Sequence, residues 1–318
     1  MLLLANLCIP LGVTQTAKSL SANSAEPRLE LLTSSSACAQ NRLLSALVQR
    51  WPEYLMEAAE LGLFMISACL FSVLLGYAGS PVWRAVPDPF VRRLLGGLAM
   101  AATALAIIYS RWGKRSGAHM NPALTLIFLR LKKVEAPDAF FYVLAQFLGG
   151  IGGVAIWSLL LGMAVSDRVV RFAATQPGPS GWKEAFVAEA IISFFLALTV
   201  LSLSNSRKFS RCTPIFAAAL IASYITFESP ISGMSMNPAR SLGSALFANS
   251  FEGLWLYFVA PPLGMLLAAE LFVAVRSERA VHCAKFHHNN SEPCIFRCTY
   301  GELMTVQATT SRKQGTTS

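Results

Sequence analysis

Two tripeptides in this chain have residue types and placement that could carry chemistry: Asn121-Pro122-Ala123 and Asn237-Pro238-Ala239. Each closes an octapeptide of the pattern S-G-x-x-M-N-P-A. Ser116 to Ala123 recurs as Ser232 to Ala239, 116 residues on, with six of eight positions identical. Each copy reads as a loop followed by a helix start. Glycine gives the loop backbone freedom, asparagine is a good N-cap, and proline at the first helical position gives up an N–H that has no helical partner anyway. The helices that follow are short, Asn121 to about Arg130 and Asn237 to about Phe247. Ten helical residues reach roughly 15 Å, about half the hydrocarbon core of a bilayer.

Two such stubs meeting end to end would face each other with unsatisfied N–H groups and about half a positive charge each. Cations and protons are repelled from that point. The side chains of Asn121 and Asn237 can cap their helices through oxygen and offer N–H donors to a passing water. The water's own hydrogens then turn outward, so it cannot accept a proton from its neighbour in a file. Backbone carbonyls of Gly117, Ala118 and His119, and of Gly233, Met234 and Ser235, would line the approaches, since irregular backbone at membrane depth is tolerated where it lines a cavity.

Arg240 directly follows the second motif, and a charge at that depth is costly unless it faces a pore. It reads as a fixed donor and cation barrier, against a structural salt bridge. Leu124 stands in the matching place of the first half, so the asymmetry marks one mouth, the outer one. Glu57 and Glu60 lie at the inner end of the first apolar segment, and Glu189 sits comparably in the fourth. A buried carboxylate must be protonated, paired or hydrogen-bonded. Glu57 and Glu189 are therefore expected to act as structural braces, accepting hydrogen bonds from the N–H groups of the two loops, rather than as proton relays. His119 is expected to pack the loop, with a pH-sensitive pore role as the alternative. No Ser/His/Asp set, phosphate loop or metal cluster falls within the core, so neither an enzyme nor a cofactor is expected.

The elements that must position these residues are long and apolar. The 318 residues are 54% hydrophobic and 14% charged, with a mean hydropathy of +0.51; that is a polytopic membrane composition. Six apolar segments stand out: about 54–77, 94–109, 139–165, 185–203, 214–227 and 254–275. The fifth is short and should extend at one end or tilt little. A net charge of +9 does not indicate nucleic acid here, because the basic residues flank the spans. Fourteen lie on the inner flanks against six on the outer loops, which places both termini in the cytoplasm of an integral, plasma-membrane protein.

Tyr142, Ala145, Leu148 and Gly149 of the third segment recur as Tyr257, Ala260, Leu263 and Gly264 of the sixth, 115 residues on. The repeat thus covers whole three-span halves, about 51–165 and 182–276, joined by a Pro/Gly-rich linker (167–181). An odd number of spans per half inverts the second against the first, a transport architecture. Residues 1–50 are expected to form a disordered tail outside the 51–276 core, since 1–13 lack the basic region of a signal peptide. Residues 277–318 are expected to be a flexible cytoplasmic tail. His282, Cys283, His287, His288, Cys294 and Cys298 invite a metal reading there, but their spacing fits no zinc template, and no metal is expected. Seven scattered cysteines suggest no disulfide framework.

Paired Asn-Pro-Ala motifs, Ser-Gly-Ala-His before the first, Arg-Ser after the second and six spans in inverted halves resemble the aquaporin, or major intrinsic protein, family in its bacterial water-channel form. The resemblance covers about 51–276. It implies an all-α right-handed bundle of six transmembrane helices with two half-helices, homotetramers in lipid with one pore per subunit, and passive flow of water or small neutral solutes. Its outer selectivity filter carries over onto Arg240, Met234 and Ile225, with Met100 (or Ala101) from the second helix. Strict water channels of the family usually have an aromatic residue and a histidine where Met100 and Ile225 stand. An apolar filter leaves glycerol, urea or ammonia as an alternative cargo. Ser241, Ala245 and the Tyr257-Phe258 pair match the water type, so a water channel is the favoured expectation. A coupled transporter would need an ion site beyond the brace carboxylates, and an enzyme would need catalytic groups; both rank below the channel.

Overall fold

The computed structural model describes residues 26–288 and 290–301. The first helix, α1, spans Glu26–Gly76, and a short α2 (Pro81–Ala85) leads to α3 (Pro89–Tyr109). After α4 (Arg111–Ser116) comes the first half-helix, α5 (Pro122–Arg130), and then the long α6 (Ala136–Val165). The second half repeats the order with α7 (Trp182–Ser204), α8 (Thr213–Phe227) and the one-turn α9 (Ser229–Ser232). It ends with the half-helix α10 (Pro238–Ala248) and α11 (Leu254–Arg276). Among the described residues, six helices are long and apolar enough to cross a membrane, with apolar spans that end at Gly76, Tyr109, Leu160 (within α6), Ser204, Phe227 and Arg276. The fifth reaches 18 residues because a 3₁₀ turn at Ser210–Cys212 runs into it, which supplies the length its apolar run lacked.

Two differences from the sequence reading concern the ends. Residues 26–50 are not a separate tail: they are helical and continuous with the first span. Pro27 stands in the first turn, where proline is tolerated, no further proline or glycine precedes Pro52, and the helix continues through it. Arg50 and Tyr54 then fasten this part of α1 to Asp138 at the start of α6. Residues 277–301 likewise fold back onto the core. Val281, Ala284 and Lys285 are buried, and Arg297 N donates to Lys133 O at 3.0 Å. The remainder of both expected tails, 1–25 and 302–318, lies outside the described residues.

Helices pair as the repeat requires: α1 against α6, α7 against α11, and α3 against α8 across the halves. In lipid no hydrophobic force drives such pairs together, so small residues that let backbones approach do the work. A Cβ on Gly149 would lie 2.0 Å from Ala58 O, and one on Gly264 would lie 2.1 Å from Ala190 O. Those two glycines are repeat equivalents, and each makes the same approach in its own half. Each half-helix packs more on the last span of the opposite half, α10 on α6 and α5 on α11, than on that of its own, so the two halves hold the stubs jointly.

Replacing Gly264 by Val should therefore separate α7 from α11. We expect loss of monodisperse protein on size-exclusion chromatography in detergent. Gly152→Ala, where a Cβ meets nothing within 4 Å, should leave the elution profile unchanged.

Candidate functional site

The two octapeptide loops turn the same way. Gly117 and Gly233 take φ values of 97° and 81°, and Ala118, Met120, Met234 and Met236 all have φ near 50°. Left-handed backbone at residues with a side chain costs about 1–3 kcal/mol each and persists only where the surroundings impose it. What imposes it here is a set of buried acceptors. Glu57 takes the N–H groups of His119 and Met120, each at 2.8 Å, and Gln146 Nε2 at 2.9 Å. Glu189 takes the N–H groups of Ser235 at 2.6 Å and Met236 at 2.7 Å, and the hydroxyl of Ser232 at 2.7 Å. Both carboxylates are fully buried.

Partners that the sequence reading missed complete each loop. Ser116 Oγ donates to Glu60 and accepts from Ala118 N, while Ser232 Oγ accepts from Met234 N. The hydroxyls of Tyr142 and Tyr257 donate to the carbonyls of Ser116 and Ser232, respectively. The matched tyrosines at an offset of 115 were the available signal, but nothing local said which carbonyl each would reach.

The half-helices begin where the motif placed them. Asn121 Oδ1 accepts from Ala123 N at 2.9 Å, and Asn237 Oδ1 accepts from Ala239 N at 3.0 Å and Arg240 N at 3.2 Å. The amide nitrogens then cross between the halves. Asn121 Nδ2 donates to Met236 O at 2.7 Å, and Asn237 Nδ2 donates to Met120 O at 2.6 Å. Each asparagine thus caps its own helix and ties down the loop of the other. One N–H of each Nδ2 is used in the tie, leaving one for a molecule in the cavity. Pro122, Ala123, Pro238 and Ala239 are buried at the first turns behind them.

A cavity of about 500 Å³ runs past this junction and is lined by both asparagines. It is also lined by Arg92 and by Ile108, sixteen residues apart on α3, so it extends about 24 Å along that helix. Met100, Ile225, Met234 and Arg240 all line it, whereas Ala101 does not. The Nη1 of Arg240 is buried without a hydrogen-bond partner among the described residues. A guanidinium donor left unpaired beside a cavity is placed to serve whatever passes. Ala118, His119, Gly233 and Ser235 also line the cavity.

Gly117 differs from its expected place. Its carbonyl accepts the Phe286 N–H at 3.2 Å, and Phe286 lines the cavity where Gly117 does not. The segment after α11 lies behind the first loop and consumes that acceptor. The linker plays the corresponding part behind the second loop: Gly178 N donates to Ile231 O at 2.8 Å, and a Cβ on Gly233 would meet Gln176 N at 2.8 Å. His119 is held by the same arrangement. Its Nε2 lies 2.9 Å from Ala284 O, its Nδ1 lies 3.1 Å from Thr125 Oγ1, and the Phe296 ring stacks parallel on it at 5.4 Å. The C-terminal segment also gathers Cys283, His288, Cys294 and Cys298, which their spacing alone did not suggest.

Six spans in inverted halves, with two half-helices meeting at a lined cavity, define a membrane channel architecture. The sequence profile of the major intrinsic protein family matches residues 47–272, and the chain belongs to that family. It is 34% identical over 204 residues to Aquaporin NIP2-1 of Oryza sativa subsp. japonica, covering 64% of each chain. It is 35% identical over 213 residues to Aquaporin-5 of Sus scrofa, covering 64% of this chain and 76% of that one. The fold matches the X-ray structure of the aquaglyceroporin from Plasmodium falciparum with a TM-score of 0.59 at 21% identity, covering 72% of this chain and 98% of that one.

Exchanging Glu189 for Leu removes the acceptor from two backbone amides and the Ser232 hydroxyl. Each buried donor so orphaned costs about 1–3 kcal/mol. We expect a clear drop in the apparent melting temperature in detergent, while Glu184→Gln at an exposed site changes it little.

Proposed function

We propose that this protein is a passive channel that conducts water down an osmotic gradient while excluding protons and ions. The observation that carries the reading is the reciprocal pair of asparagine amides on the wall of a continuous cavity, each at the positive end of a half-helix. A water at that junction accepts from both amides and turns its hydrogens away, which interrupts proton hopping along the file. Arg240, with its unpartnered nitrogen, adds a fixed positive charge toward one mouth. Its position supports a filter formed with Met100, Ile225 and Met234. In this reading Glu57 and Glu189 are structural braces for the two loops, and no enzymatic step or cofactor takes part.

A second cargo class has its own support. Three of the four filter side chains are apolar and two are methionines, unbranched and adaptable. A wall of that kind admits the carbon backbone of glycerol or a small planar solute such as urea, and the structural neighbour named above is an aquaglyceroporin. Passage of small neutral solutes alongside water is therefore part of the proposal. The charge distribution supports both termini in the cytoplasm of a plasma-membrane protein. Exposed apolar side chains such as Leu148, Phe195 and Leu267 on the spans provide faces for lipid and for a homotetramer of independent pores.

Stopped-flow volume changes of proteoliposomes under water, glycerol and urea gradients test the reading. Water flux should exceed that of empty vesicles severalfold and persist without any ion gradient. Replacing Arg240 by Val should raise glycerol and urea permeability severalfold over the parent channel. An unchanged solute profile in that variant would refute the filter assignment, and flux that requires a proton or sodium gradient would indicate a coupled transporter.

A further inference from the structure

The C-terminal segment has almost no regular structure and yet is buried against the core. From Val281 to Tyr300 it crosses the first loop, with its hold on Gly117, His119 and Lys133 made through single hydrogen bonds and one stacked ring. A stretch this short and irregular cannot be held by a core of its own; such segments are usually stapled by disulfides or a metal. At its centre are Cys283, His288, Cys294 and Cys298, whose donor atoms all lie within 4.8 Å of one another. Cys283 Sγ is 3.5 Å from Cys294 Sγ, and Cys298 Sγ is 2.9 Å from His288 Nε2.

We propose that these four side chains form a tetrahedral zinc site that clamps the C-terminal segment over the tail-side mouth of the cavity. Zinc bonds of about 2.3 Å to sulfur and 2.0 Å to nitrogen put neighbouring donor atoms roughly 3.5–3.8 Å apart. The Cys283–Cys294 separation is already that of two zinc ligands, and the others, from 2.9 Å to at most 4.8 Å, reach the arrangement with shifts of up to about one ångström. A disulfide needs about 2.05 Å between sulfurs and uses only two of them. It gives no reason for a third thiol and an imidazole to converge on the same point. Three soft thiolates with one imidazole are a donor set suited to zinc, and four protein ligands leave no open position, as in structural rather than catalytic sites.

Charge supplies an independent observation. Zinc with three thiolates and a neutral imidazole carries one net negative charge. Lys285, two residues from the first ligand, is only 2% exposed, and its Nζ donates to the carbonyls of Pro293 and Glu292. No carboxylate lies within salt-bridge distance of it among the described residues; its electrostatic neighbours are the three thiols and, more weakly, Glu292, which is itself paired with Arg111. A buried lysine is expensive without a counter-charge; the loaded site supplies one. The ligands also bracket the docking contacts, since Ala284 and Phe286 lie between Cys283 and His288. Holding the ligands together therefore holds those two residues against the first loop.

The test uses the full-length channel, purified in detergent under reducing conditions with a histidine-free tag, and elemental analysis. We expect about one zinc per chain, retained through gel filtration. His288→Ala and Cys298→Ser should lose it, and Cys212→Ser, outside the cluster, should keep it. A second readout needs no variant: a zinc chelator should expose the three thiols to alkylation and open Lys285 to trypsin, and added zinc should reverse both. Neither measurement depends on which solute passes the pore. Less than about a tenth of a zinc per chain after incubation with zinc salts, copper in its place, or a Cys283–Cys294 disulfide in the peptide map would overturn the assignment.

Discussion

Irregular backbone inside a bilayer must find its hydrogen bonds within the protein, because hydrocarbon offers none. Everything distinctive here follows from the way two carboxylates meet that demand. Glu57 and Glu189 each accept the two consecutive amides that precede an Asn-Pro-Ala tripeptide. Consecutive N–H groups converge on one carboxylate where the residues flanking His119 and Ser235 sit in left-handed backbone: Ala118 and Met120, Met234 and Met236. The same geometry turns the neighbouring carbonyls the other way, where Met120 O and Met236 O meet the opposing asparagines. Brace, strain and cross-tie are one construction, made twice.

The two copies are alike at their core and different around it. The first loop has His119 bonded to Thr125, and the second has Ser235 bonded to Ser241, at matching offsets. Gln146 assists Glu57, whereas Ser232 assists Glu189. The linker covers the second loop and the C-terminal segment covers the first. Directly after the Asn-Pro-Ala tripeptide, the second half places a charge, Arg240, beside the cavity where the first half has Leu124. The junction is thus nearly symmetric, while the two mouths are chemically distinct. That division suits a channel whose barrier to protons lies at the centre and whose sorting of solutes lies toward one end.

Much of this was legible in the sequence because it depends on short-range rules. Asparagine followed by proline marks a helix start wherever it occurs, and its repetition after 116 residues in an apolar chain points to inverted halves. Hydropathy located the spans to within a few residues, except where helix continued into polar sequence at 26–50. The crossing of the asparagine amides was not legible, since each acceptor belongs to a loop more than a hundred residues away. The C-terminal segment was misjudged for a related reason. Its polar, cysteine-bearing composition looks like an unattached tail, and its anchors are a glycine carbonyl and a histidine ring in the first loop. The convergence of Cys283, His288, Cys294 and Cys298 likewise comes from the chain's path, which spacing does not encode.

The central claim is that two opposed half-helices and their asparagines let water through while breaking its proton-conducting chain. Simultaneous recording of osmotic shrinkage and internal pH, in the same reconstituted vesicles under a pH gradient, tests it most directly. The account requires rapid shrinkage with an activation energy near that of free water diffusion, and an internal pH no more labile than in empty vesicles. Acidification that rises in step with water permeability would contradict it.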